Sequence, residues 1–149
     1  MRVALREVLP DDLPIHFEQQ RDPESARLTT VPARDREAFD AQWRTLLADP
    51  AVVVRTVVVD GAVAGSVMTF FRDGEREIGY RLAQAHWGRG VATAALGLML
   101  RDHVTERPVQ AIPAVHNPAS RRVLEKCGFV RTGEYVRDDG VRYDVLRLG

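Results

Sequence analysis

The chain is poor in several residues whose absence narrows its chemistry. Cys127 is the only cysteine and Lys126 the only lysine. One cysteine excludes an intramolecular disulfide. The lone lysine is not part of a Gly-Lys-Ser/Thr run, which excludes a Walker A loop. His16, His86, His103 and His116 have no metal-ligand spacing, so no metal site is expected. No run of about 18 apolar residues is present, and the N-terminus carries no signal-peptide pattern, so a cytoplasmic protein without a membrane partner is expected. A formal net charge of +0 leaves no global field to draw nucleic acid or an anionic membrane; arginine carries nearly all the positive charge.

What is there is enough for one domain over residues 1–149. Hydrophobic residues make up 45% and charged residues 28% of the chain, ordinary values for a globular fold with a core of its own. Val3 to Val8 alternates as a first strand. Pro10-Asp11-Asp12 opens a helix to about Arg21, with Ile15 pointing inward. Arg21 to Ala33 carries two prolines and little periodicity and is expected to be a long loop. Arg34 to Ala48 is a second helix, with Phe39, Trp43, Leu46 and Leu47 at core spacing.

Two apolar runs then flank Asp60-Gly61, and Asp73-Gly74 repeats that hairpin signal before EREIGYRL. After this meander the pattern changes to helix, strand, helix, strand, strand. Ala92, Ala95, Leu96, Met99, Leu100 and His103 share one helix face, with His103 a surface residue compensating the helix dipole. A strand runs from Pro108 to about Val115. Asn117 caps the next helix with Pro118 in its first position, and Gly128 ends it. A last hairpin turns at Asp139-Gly140, with Tyr143 as a packed core tyrosine. The expected fold is α/β with a mixed, mostly antiparallel sheet in the order β-αα-βββ-α-β-α-ββ.

The chain is organised around HWGRGVATAAL, His86 to Leu96. Gly88 and Gly90 lie between a strand and a helix. Helix-start N–H groups have no intrahelical partner and the dipole favours negative charge there. Glycine lets a phosphate approach the backbone closely, and Arg89 adds a guanidinium. This predicts a pyrophosphate cradle. A tight turn that binds nothing is the alternative. The dinucleotide fingerprint does not fit, because Thr93 stands where its third glycine belongs, and a Rossmann fold is disfavoured by the hairpin meander.

WGRGVA resembles the acetyl-CoA loop of the Gcn5-related N-acetyltransferases (GNAT), whose pattern is Gln/Arg-x-x-Gly-x-Gly/Ala. Gly90 and Ala92 fill the last two places, and Trp87 replaces the first residue, as in the branch of ribosomal-protein alanine N-acetyltransferases. NPASRRVLEKCGF, Asn117 to Phe129, resembles a second family element. The resemblance implies two parallel central strands that splay apart, with acetyl-CoA in the gap. Its pantetheine arm would then complete the unpaired backbone as a pseudo-strand. It further implies cofactor contacts at Leu82, Ala83, Trp87, Gly88, Arg89, Gly90, Val91, Ala92, Thr93, Asn117 and Ser120.

Acetyl transfer needs a neutral amine, a donor for the oxyanion and a proton for the thiolate. Glu77, on the strand leading into the site, is the first candidate base; a solvated surface charge is the alternative. Asp138 and Asp139 at the last hairpin are runners-up, with turn chemistry as their other role. Many family members carry an acidic tyrosine where this chain has Leu124, so that mechanism does not carry over. Ser120, completing Asn-x-x-Ser, is the candidate partner of the sulfur, or else a first-turn helix serine. Tyr80 lies near the reaction centre, Cys127 is a packing residue, and Arg121 and Arg122 reach the phosphates or stand in solvent. The predicted function is an acetyl-CoA-dependent N-acetyltransferase acting directly on a primary amine, either a peptide N-terminus or a small molecule. A non-catalytic acyl-CoA sensor is the alternative, and a homodimer through an exposed edge strand is open. Asp22, Glu24 and Glu77 favour a cationic acceptor, Arg27 and Arg34 one with a carboxylate.

Overall fold

A computed structural model describes every residue from Met1 to Gly149. Its frame is a seven-stranded sheet in the order β1-β2-β3-β4-β5-β7-β6. β1 (Val3–Arg6), β2 (Val53–Val59), β3 (Ala62–Arg72) and β4 (Glu75–Leu82) form the antiparallel meander. Asp60 and Gly61 (φ 49° and 85°) and Asp73 and Gly74 (φ 51° and 80°) close its hairpins, the paired left-handed turn that matches strand twist. α4 (Val91–Asp102), β5 (Val109–Ala111) and α5 (Pro118–Lys126) follow, and β6 (Val130–Val136) and β7 (Arg142–Leu148) end the chain. No helix is long and apolar enough to cross a membrane.

β4 and β5 are parallel and pair only at Arg76–Val109 and Glu77–Gln110. β4 continues to Leu82 while β5 stops at Ala111, so the sheet splits as expected. The predicted strand from Pro108 to Val115 is therefore cut to three residues. Past Ala111 it leaves β4, Pro113 has no N–H to donate, and Ala114 keeps only an isolated bridge to Tyr143.

On one sheet face Val91, Ala95, Leu96 and Met99 of α4 and Leu124 of α5 bury against Val57, Val67, Ile78, Val109 and Leu146. Removing this apolar area from water is the main stabilising term. His103 is exposed at the end of α4. The other face carries α1 (Leu13–Gln20), preceded by a 3-10 turn at Pro10–Asp12, and α3 (Arg36–Ala48). There Phe39 and Trp43 are buried with Val54, beside Phe17 and Met68.

Several expectations are corrected. Ile15 is 41% exposed, whereas its neighbour His16 is buried. The His16 ring stacks on Trp43 at 5.0 Å between centroids, and Nε2 lies 3.2 Å from the Thr56 hydroxyl. Partners on the sheet thus reward the histidine, and hydropathy alone mis-assigned the helix face. Below it, Asp12 accepts both guanidinium bonds of Arg6 (2.6 and 2.9 Å), the Leu9 N–H and the Thr56 hydroxyl. Leu47 is exposed, one step round the helix from the sheet-facing stripe.

Arg21 to Ala33 is no loop: it contains α2 (Pro23–Thr29). Asp22 accepts the Glu24 N–H as N-cap, Pro23 takes the first helical position where its missing N–H costs nothing, and Arg27 pairs with Glu24 one turn back. The prolines mark helix entry here. Tyr143 is a tether and not a core residue. Its hydroxyl lies 2.5 Å from that of Thr30 and accepts from Arg137, tying the end of α2 to the last hairpin.

Candidate functional site

The split in the sheet opens a cavity of about 450 Å³. β4 forms one wall, the residues after β5 and the start of α5 the other, the glycine turn and the start of α4 one end. α2 covers it through Ser25, Leu28 and Thr29, and is held there by His116, whose Nε2 donates to Arg27 O at 2.8 Å. Of the residues singled out from sequence, Glu77, Leu82, Trp87, Gly88, Gly90, Val91, Ala92, Thr93, Asn117 and Ser120 all line this cavity. Ala83 and Arg89 do not. The Ala83 N–H is spent on Ala64 O at 3.0 Å, and Arg89 is exposed on the turn.

Gly88 and Gly90 hold φ of 70° and 80°, which a side chain disfavours. Gly90 is the N-cap of α4 and has no side chain to cap with. The first helical N–H groups, Val91, Ala92 and Thr93, find no backbone carbonyl, the first such bond of the helix being Ala94 to Gly90. They remain free for an anion. Trp87 fixes the turn to the strand: its indole N–H donates to Leu82 O at 2.9 Å. Two cations on successive turns of α5, Arg122 and Lys126, reach the cavity wall; Lys126 carried no signal in the sequence beyond its charge. Arg121 instead turns to Glu125 and Asp144.

On β4 the pairing of Ala83 with Ala64 sets the phase. Antiparallel bonding alternates, so Tyr80 and Leu82 turn their backbone groups away from β3, toward the gap. Asn117 caps α5 as expected, its Oδ1 accepting the Ser120 N–H at 3.3 Å. Ser120 then meets a partner that sequence did not connect to it. The Tyr80 hydroxyl donates to Ser120 Oγ across the gap at 3.1 Å. Burial holds the Tyr80 phenol above its ordinary pKa, opposed by its bond to Ser120. Leu124 is buried where the family tyrosine would stand, and the phenol enters from β4 instead. Forty residues separate the pair in sequence, so no local pattern announces it.

Glu77 is the one carboxylate in the cavity wall. It is buried, and both its oxygens accept from Arg72, at 2.8 and 3.2 Å. Asp139 lies at the hairpin tip, drawn down to about 2 by the Arg137 guanidinium and the Val141 N–H, a turn-forming carboxylate. Cys127 packs between α5 and α4, its thiol directed to Thr93 O and pushed up in pKa by burial.

A split sheet, an uncapped helix start and two free cations on one wall define a protein that holds an extended anionic ligand. The sequence pattern of the Acetyltransferase (GNAT) domain matches residues 2–130. The chain belongs to that family and is a GNAT acetyltransferase domain. The protein named "Putative ribosomal N-acetyltransferase YdaF" of Bacillus subtilis (strain 168) is 29% identical over 121 residues, covering 74% of this chain and 66% of that one. The chain thus spans about two thirds of that relative's length. Among solved structures, a GNAT-family acetyltransferase from Bacillus anthracis has a TM-score of 0.84 at 16% identity, over 99% of this chain and 95% of the other. The spermidine N-acetyltransferase from Vibrio cholerae, solved with CoA and spermine, has a TM-score of 0.82 at 20% identity, over 97% and 92%. At these identities the two structures establish the shared fold.

Proposed function

We propose that this chain transfers the acetyl group of acetyl-CoA directly to a primary amine, with Tyr80 and Ser120 handling the proton of the departing thiol. Membership of the GNAT family makes acetyl-CoA the cosubstrate, and the cavity fits it: free N–H groups at Val91, Ala92 and Thr93 suit a pyrophosphate, Arg122 and Lys126 add charge, and the open β4 edge suits an amide-bearing arm. When bound, acetyl-CoA supplies the acyl group as a thioester. The observation that carries this reading is the Tyr80–Ser120 hydrogen bond in the same cavity as the uncapped start of α4.

The residues then divide the work. The backbone of Tyr80 and Leu82 orients the cosubstrate along β4 and offers N–H groups to a developing oxyanion. Tyr80 keeps its proton because burial opposes the phenolate. Ser120 accepts from Tyr80 and so retains its own hydroxyl proton to donate toward the sulfur. Glu77 is the cavity's only carboxylate candidate for the amine proton, taken directly or through water. Arg72 holds that carboxylate, and its release or retention decides whether Glu77 acts as base. The acceptor is a small amine or a peptide N-terminus, the latter in line with the name of the Bacillus subtilis relative.

Free-thiol release from acetyl-CoA is measured across amino acids, peptides, polyamines and aminoglycosides. Amine-dependent release supports the proposal. Tight acetyl-CoA binding without release on any amine overturns it in favour of a non-catalytic sensor.

A further inference from the structure

A second cavity, of about 270 Å³, lies on the opposite face of β4. Helices α1 and α3 and the segment between α2 and α3 form its outer side. Gly79, Tyr80 and Arg81 line both this cavity and the first, so the strand is a shared wall. At Gly79 that wall carries no side chain, and nothing stands within 4 Å of where a Cβ would be. The second cavity therefore adjoins the transfer site at its thinnest point.

Its lining has two characters. Phe39, Trp43, Leu46, Met68 and Phe70 make it apolar and aromatic. Arg81 and Arg34 make it cationic, and no Asp or Glu lines it at all. Arg81 is the unusual member. Its guanidinium makes no ion pair, and its buried Nε has no hydrogen-bond partner. Burial and the neighbouring Arg34 both lower its pKa, the mark of two cations held close without an acid between them. A buried charge left without a counter-ion is costly. The other large arginine contacts of this chain are satisfied by acids, as at Arg6–Asp12 and Arg72–Glu77. Arg34 is itself held in place by a backbone clamp, its N–H donating to Gln20 Oε1 at 2.7 Å and its carbonyl accepting from Gln20 Nε2 at 2.9 Å.

We infer that this cavity is the acceptor subsite, and that Arg81 and Arg34 select an amine that also carries a carboxylate and an apolar or aromatic body, such as a hydrophobic amino acid. The guanidinium fork matches a carboxylate in shape and charge. The aromatic lining takes the side chain, and the open Gly79 wall lets the amine face the first cavity. The same charges exclude polycationic acceptors, because a polyamine would meet two arginines and no acid. The inference rests on the acetyltransferase reading and narrows its acceptor.

The test compares L-phenylalanine, L-phenylalaninamide and spermidine, first as ligands by calorimetry in the presence of CoA and then as acceptors in thiol release. Calorimetry needs no turnover, so failure of the acetyltransferase reading and failure of this inference remain distinguishable. The acid should bind and react at least about tenfold better than its amide, with spermidine poorest. Arg81→Met and Arg34→Met should collapse the acid-to-amide ratio through KM, with acetyl-CoA affinity retained, and Arg81→Lys should restore part of it. Folding of each variant is checked through its acetyl-CoA affinity. Equal binding of acid and amide, preference for spermidine, or an Arg81→Met variant that loses acetyl-CoA binding while keeping the acid-to-amide ratio would each overturn the inference.

Discussion

Tyr80 of β4 donates its phenolic proton to Ser120 of α5 at 3.1 Å, bridging the two halves of the split sheet. The pair joins the strand that orients the thioester to the helix that carries the second sequence motif. Tyr80→Phe should lower kcat by about 10²-fold, the lower end of what a positioned acid contributes, with little change in acetyl-CoA affinity. Ser120→Ala should lower kcat roughly tenfold or more by removing a hydrogen bond to charged sulfur. If the two act in series, the double variant should be no worse than Tyr80→Phe, which a double-mutant cycle measures directly.

Glu77 and Arg72 separate a base from an anchor. Glu77→Gln should cut turnover by about 10²-fold if the carboxylate takes the amine proton, whereas Arg72→Met should leave it within a few-fold. Equal losses in the two variants would mean that the ion pair matters only for placing β4. Steady-state kinetics at saturating acetyl-CoA makes the distinction.

Two glycines near the cavity should fail in different ways. Gly90→Ala puts a side chain at φ 80° in open space; it should cost about 1–2 kcal/mol and weaken acetyl-CoA binding by turning the helix-start N–H groups. Gly65→Ala would place Cβ 2.0 Å from Arg81 O and 2.9 Å from the Leu82 Cα. β3 and β4 would have to separate, so the loss should be at least about 1–3 kcal/mol, seen as a lower urea midpoint with or without cosubstrate.

The buried pair beneath α1 predicts acid sensitivity in two stages. Burial holds His16 below its ordinary value of 6.5, so below about pH 6.5 the unfolded chain binds the proton more readily. Unfolding free energy should then fall as pH falls, down to the depressed native value. Asp12 is held well below the carboxylate range, chiefly by Arg6. Its contribution is present above the unfolded value of about 3.9 and is lost as pH falls through the native value. Thermal melts of His16→Asn should flatten the first stage, and those of Asp12→Asn the second.

How much was legible before the fold was known depends on whether the cause was local. Asp60-Gly61 and Asp73-Gly74 specify their turns by backbone preference, Asn117 and Pro118 specify a helix start, and the Gly88–Thr93 turn specifies an anion site. Each is decided within a few residues, so the strand order up to β4 and the cosubstrate end of the cavity could be read from the chain. α2 was equally local, since Asp22-Pro23-Glu24 is a helix start; its prolines were weighed as breakers.

Other features were set by residues far apart in the chain. His16 is buried in place of Ile15 because Trp43 and Thr56 await it. β5 ends at Ala111 because its neighbour β4 diverges. Tyr80 meets Ser120, and Arg81 meets Arg34 without an acid, only once the sheet has brought four separate segments to one strand. Local sequence determined which elements form and where an anion binds. Tertiary packing alone decided which side chains face each other across the gap, because those contacts depend on register and on the splay of the sheet, and no spacing along the chain encodes either.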